Sequence, residues 1–216
     1  NAAMAHQLNE FKAQIDALVA GGMEQEEALY KVLKDTIIAS QNIRFEGDGY
    51  SEEWKQEAQK RGLTNICHVP EAIMKFNDPQ SRAVLLGEKI FNENELNCRI
   101  EVELEKYTKK VQIESRVLGD MAINHIIPTA VIYQNRLLEN LRGLRETFSA
   151  EEYEALGADR RELVKRIQIR ILAIKQLVND MTEARKVANR LPSQIEKAFS
   201  YEEHVRPYLD EIREHI

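Results

Sequence analysis

Glycine and proline punctuate this chain rarely: 9 glycines and 5 prolines stand in 216 residues. That is about half of the roughly 12% share that average usage gives them. β-Sandwiches, barrels and doubly wound α/β domains need a turn every ten residues or so, and such turns lean on these two residues. Their scarcity argues against all three architectures and predicts long elements. Hydrophobic residues make up 43% of the chain, enough to build a core and to exclude disorder. The predicted class is all-α: an antiparallel helical bundle with two long helices and several short ones.

Charge narrows the partners. Lys+Arg number 30 against 36 Asp+Glu, a net charge of -6 with the signs interleaved. A duplex nucleic-acid binder carries a basic face or stripe. The densest basic stretch here, Arg160-Arg161 through Lys165-Arg166 to Arg170, has Asp159 before it and Glu162 inside it. It reads as a solvated helix face, so no nucleic acid is expected. No apolar run approaches the roughly 20 residues of a membrane span, so no membrane is expected either. No signal peptide is recognised. Cys67 and Cys98 are the only cysteines, which is no disulfide framework; the reading is a cytoplasmic, reducing setting. The chain begins Asn1-Ala2-Ala3 inside a helical pattern, as a piece of a longer protein would.

Leu8, Phe11, Ile15 and Leu18 recur at helical spacing, and Gly21-Gly22 stops them. Leu29, Val32, Leu33 and Ile37 predict one face of a second helix, making an αα-hairpin. Residues 42–50 break the pattern with Gly47-Asp48-Gly49, an ordered loop or short extended segment locked by Tyr50 and Trp54. Ser51 is placed to cap the next helix, with Glu52 and Glu53 in its first turn; Arg61-Gly62 ends it. Residues 63–92 predict a loop and two short helices that start at Pro70 and Asp78-Pro79. From about Asn94, one stripe carries Leu96, Ile100, Leu104, Tyr107, Val111, Leu118 and Met121. Pro128 kinks or splits this helix, and the pattern resumes through Ile132, Leu137, Leu141 and Leu144. Ser149 with Glu152 forms a capping box. Asp159 with Glu162 has the same spacing and opens the second long helix, through Leu163, Ile167, Ile171, Ile174, Val178, Met181, Ala184 and Ala188. The two long helices pack antiparallel. Ser193 with Glu196, and Ser200 with Glu203, open two closing helices, the last offset by Pro207.

None of these elements carries a visible reaction. A carboxylate-type metal site in a bundle uses Glu-x-x-His pairs, and none of His6, His68, His125, His204 and His215 has a Glu three positions before it. Glu101, Glu103 and Glu105 fan out at roughly 200° per step around a helix and read as a solvated face. Gly47-Asp48-Gly49 matches neither a dinucleotide nor a P-loop fingerprint. No serine sits in a G-x-S-x-G elbow. Catalytic, cofactor-binding and metal residues are therefore assigned to none. In Asn124-His125-Ile126-Ile127-Pro128-Thr129, the proline frees a backbone carbonyl that Asn, His and Thr are placed to satisfy; a regulatory ligand site at this kink is the functional alternative.

Phe45-Glu46-Gly47-Asp48-Gly49-Tyr50-Ser51-Glu52-Glu53-Trp54 carries a resemblance. So do Ala58-Gln59-Lys60-Arg61-Gly62-Leu63, Lys109-Lys110-Val111-Gln112-Ile113-Glu114-Ser115-Arg116-Val117, and Gly119-Asp120-Met121-Ala122-Ile123-Asn124-His125-Ile126-Ile127-Pro128-Thr129-Ala130 with Tyr133-Gln134-Asn135. Over most of its length the chain resembles the C-terminal part of the type III glutamine synthetases. The resemblance implies an ATP-dependent glutamate–ammonia ligase that uses divalent metal, Mg or Mn. The ATP, metal and glutamate residues of that family lie in a β-rich region before this segment, so none transfers to a position here. It further implies that residues 1–107 are closing helices of the catalytic domain and residues 108–216 a C-terminal helical extension. The expected partners are the rest of the synthetase chain and neighbouring subunits of a homo-oligomer. The expected role is structural, inactive as an isolated piece; the alternative is a stand-alone helical adaptor or coiled-coil interaction protein.

Overall fold

The computed structural model describes residues 1–216, and every regular element in it is helical. The chain divides into two compact units, Asn1–Ile100 and Glu101–Ile216. The division falls inside one long helix, α6 (Glu93–Met121), which begins in the first unit and continues in the second.

The first unit opens with the hairpin of α1 (Ala2–Ala20) and α2 (Gln25–Ala39). Gly22 makes the turn at φ 93°, a conformation only glycine takes without strain. The buried line on α2 is Ala28 and Val32, one helical turn apart. The expected face holds only at Val32; Leu29, Leu33 and Ile37 are exposed. Small side chains let two helices approach closely, so the Ala28 edge meets α1 and the bulkier stripe is left outside. α1 itself buries no residue. His6 Nδ1 lies 3.1 Å from Glu88 Oε1, and Asn9 Nδ2 donates to Glu88 Oε2 at 3.0 Å, tying α1 to the end of α5.

The three short helices follow expectation. α3 (Glu52–Lys60) is capped by Ser51, whose Oγ accepts from the Trp54 amide at 3.2 Å. α4 (Val69–Met74) and α5 (Pro79–Gly87) each begin with a proline, where the missing N–H costs nothing. Asp78 does not cap α5 through its side chain; it pairs with Lys75 at 3.2 Å. The start of α6 is a reciprocal box: Asn92 Oδ1 accepts from the Glu95 amide at 3.0 Å, and Glu95 Oε2 accepts from the Asn92 amide at 2.8 Å.

In the second unit, α6 is followed by a π turn, Ala122–Ile126, and α7 (Ile127–Thr147). α8 (Ala150–Asn189) returns antiparallel for 40 residues. α6 packs against α8 at Gly119, where a Cβ would stand 3.5 Å from Met181 and Val178. α9 (Gln194–His204) and α10 (Pro207–His215) pack on α8. Val111, Ala122, Ile127, Ile171, Ile174, Met181, Tyr201 and Ile212 form the core between these helices.

Several boundaries differ from expectation. The Ser149–Glu152 box is present, but the helix it opens runs straight through Asp159 and Glu162, which cap nothing. Ser200 is buried inside α9, whose start is the Ser193–Glu196 box; the last helix starts at Pro207 rather than being offset by it. Met121 and Ile132, expected on the buried stripe, are exposed. The break expected at Pro128 sits just upstream, as the π turn, and Pro128 occupies the first turn of α7. No helix is long and apolar enough to cross a membrane.

Candidate functional site

The 42–50 loop is held by one arginine. Arg61, at the end of α3, donates from Nη1 to the carbonyls of Arg44 at 2.6 Å and Asn42 at 3.5 Å, and from Nε to Glu57 Oε1 at 2.7 Å. Its guanidinium lies 5.7 Å from the Phe45 ring centroid, and Phe45 meets Trp54 at 4.5 Å between centroids. The Arg61 contact holds the Glu57 carboxyl below the ordinary carboxylate range. A Cβ on Gly47 would stand 2.8 Å from the Phe45 ring, so any side chain there would push the ring aside. Trp54 locks the loop as expected, but Tyr50 does not: its side chain is 97% exposed. Asp48 shapes the tip instead, accepting from the Tyr50 amide at 2.9 Å.

A second polar group lies under α9. Glu202 is buried; the Tyr107 hydroxyl donates to one oxygen and Arg206 Nη1 reaches the other at 3.3 Å. Burial, and then the Glu202 bond, push the Tyr107 phenol above its ordinary range. Beside it, the fully buried Tyr201 accepts from Gln112 Nε2 at 3.2 Å and donates to Asn189 Oδ1 at 2.9 Å. Arg185 Nε is buried without a hydrogen-bond partner. Burial lowers the Arg185 pKa first, and the Arg116 charge lowers it further. A carboxylate so enclosed is well placed to fasten α9 to α6, because a buried charge is stable only when paired and bonded.

At the kink, Thr129 donates to the His125 carbonyl at 2.8 Å, four residues back along its own helix, and not to the carbonyl of Asn124 that Pro128 leaves without a donor. Asn124 does not serve the backbone; its Nδ2 donates to Asp120 Oδ1 at 2.7 Å. Cys67 and Cys98 are free and exposed. Glu103 and Glu105 pair along the helix with Lys106 and Lys109. No three His, Cys, Asp or Glu side chains converge anywhere in the chain, so its residues do not fit a divalent metal ion.

Residues 28–145, more than half of the chain, match the family described as glutamine synthetase C-terminal domain. The chain belongs to this family. As a glutamine synthetase C-terminal domain, it is 70% identical over all 216 residues to a glutamine synthetase of Bacteroides fragilis (strain YCH46), of which it covers 30%. It is 27% identical over 194 residues to a glutamine synthetase of Butyrivibrio fibrisolvens, with 90% of this chain and 27% of the relative aligned. A type-3 glutamine synthetase of Dictyostelium discoideum is 32% identical over 120 residues, 56% of this chain and 16% of that one. The resemblance carried by the Phe45–Trp54 segment and the 109–135 motifs thus holds. The chain corresponds to the C-terminal part of a glutamine synthetase and spans about 30% of the length of the Bacteroides fragilis relative.

Proposed function

We propose that this chain is the helical brace of a larger ATP-dependent glutamate–ammonia ligase, contributing structure and subunit contacts rather than reacting groups. The family match, over a chain that spans only 30% of its Bacteroides fragilis relative, carries this reading. It favours a brace over a stand-alone adaptor. ATP and divalent metal would be held by the rest of the enzyme, in the cytoplasm. Residues 1–107 would close the catalytic domain and residues 108–216 would form the extension. The uncovered apolar side chains support the role: Leu29, Leu33 and Ile37 on α2, and Ile113, Val117 and Met121 on α6, are exposed in ordered rows. Such rows mark surfaces that other protein covers; here the occupants would be the rest of the chain and neighbouring copies. Removing the segment from the full-length enzyme, with sedimentation and glutamine formation as readouts, tests this. Loss of assembly with loss of activity is expected; an assembled, active truncation would refute the role.

A further inference from the structure

The α7–α8 hairpin holds a concavity of about 290 Å³ lined by three arginines and by apolar side chains. Arg142 and Arg145 come from the end of α7, three residues apart and so on one face. Arg161 comes from α8, and Leu141, Val164 and Tyr153 also line the space; no acidic side chain does. Arg161 is already committed: its Nη2 meets Glu154 Oε2 at 2.5 Å and the Glu154 carbonyl at 2.9 Å, and its guanidinium lies 4.9 Å from the Tyr153 ring centroid. Gly157 makes room for it, since a Cβ there would stand 3.2 Å from both Arg161 Nη1 and Leu141. Arg142 and Arg145 are exposed to solvent and have neither an ion pair nor a hydrogen bond within the chain. Arg145 gains from the negative end of the α7 dipole, but the dipole supplies no acceptor for either fork.

Two exposed arginines without a partner in the chain thus line one cavity beside apolar side chains. A lone carboxylate carries a single charge and leaves one of them unmatched. A phosphate monoester carries close to two charges at neutral pH and offers three acceptor oxygens, and planar guanidinium forks fit such oxygens two at a time. The apolar lining suits an apolar or planar body, and the volume sits at the small end of ligand cavities. From this we infer that the α7–α8 pocket binds a small phosphate monoester with an apolar or planar body, its phosphate on Arg142 and Arg145.

Phenyl phosphate is the probe, titrated calorimetrically into the full-length enzyme and into R142Q/R145Q at pH 8. The expected result is a binding component in the parent that weakens at least tenfold in the double variant, with benzoate and inorganic phosphate each at least tenfold weaker than phenyl phosphate. Mass spectrometry after phenylglyoxal treatment of the parent provides a readout that needs no variant. Phenyl phosphate should protect Arg142 and Arg145 at least threefold, and leave Arg160 unprotected. Equal binding by parent and variant, benzoate as tight as phenyl phosphate, or unprotected Arg142 and Arg145 would each overturn the assignment. So would absence of binding, the result expected if another segment of the enzyme fills the pocket.

Discussion

Tyr107 shows how much one side chain can hold in a core of this kind. Its hydroxyl is a donor to the buried Glu202, shared with Arg206. Tyr107→Phe removes that donor and leaves a buried carboxylate short of one bond, a loss of about 1–3 kcal/mol. Urea denaturation should report it. The same pair sets a pH dependence. The phenol is raised above its ordinary value in the folded state, so its contribution is fully present below about 10, the unfolded value, and is lost as pH rises through the folded value. Alkaline stability should therefore fall less steeply in Tyr107→Phe than in the parent; parallel slopes would count against this account. Arg61 is the comparable residue in the first unit. Its effect was invisible in the sequence, because three of its partners are the carbonyls and ring of a loop some seventeen residues away.

At the scale of the element, helix starts were legible where they are local. Ser149 with Glu152 and Ser193 with Glu196 sit on the caps that spacing predicts. Asp159 with Glu162 has equal spacing and does nothing, because the backbone upstream is already helical; a cap motif cannot report that. On α2 the period was right and the face displaced, with only Val32 of the expected residues buried, since a stripe becomes buried only where a neighbour can approach, and Ala28 permits that where Leu29 does not. The pocket shares this limit: Arg142 and Arg145 are visible as a pair, while Tyr153 and Arg161 arrive from another helix. Three glycines in the long helices separate packing from propensity. Gly143 faces open space, so Gly143→Ala should gain most of the roughly 1 kcal/mol that alanine offers over glycine. Gly119→Ala makes ordinary contacts at 3.5 Å and should gain a similar amount or slightly less. Gly157→Ala meets Leu141 and Arg161 at 3.2 Å and should gain nothing or lose stability. Thermal melts of the three variants would order them; a Gly157→Ala protein more stable than Gly143→Ala would contradict the packing.

Across the molecule, protection should be uneven. α1 buries no residue, whereas α8 contributes six buried residues. Amides of α1 should therefore exchange with solvent well ahead of those of α8 in the isolated chain, since local opening is easiest where few apolar contacts resist it. Hydrogen exchange read by mass spectrometry would show it, and comparable protection of both helices would speak against it. The same preparation should form no glutamine, because no reacting group in it is assigned to the ligase chemistry. The π turn has a consequence of another kind. The buried seam steps from Leu118 to Ala122 to Ile127 to Ala130, so the chain counts five residues once where it otherwise counts three or four. That fifth residue is a surplus, and the wider turn absorbs it while easing Pro128 past the preceding carbonyls. Deleting Asn124 together with Pro128→Ala should leave every later side chain on its present face and the hairpin intact. Deleting Asn135, a residue of the regular helix, would swing all of them by about 100°. Along this stretch of helix the chain should therefore tolerate the loss of a residue better at the π turn than within the regular turns on either side.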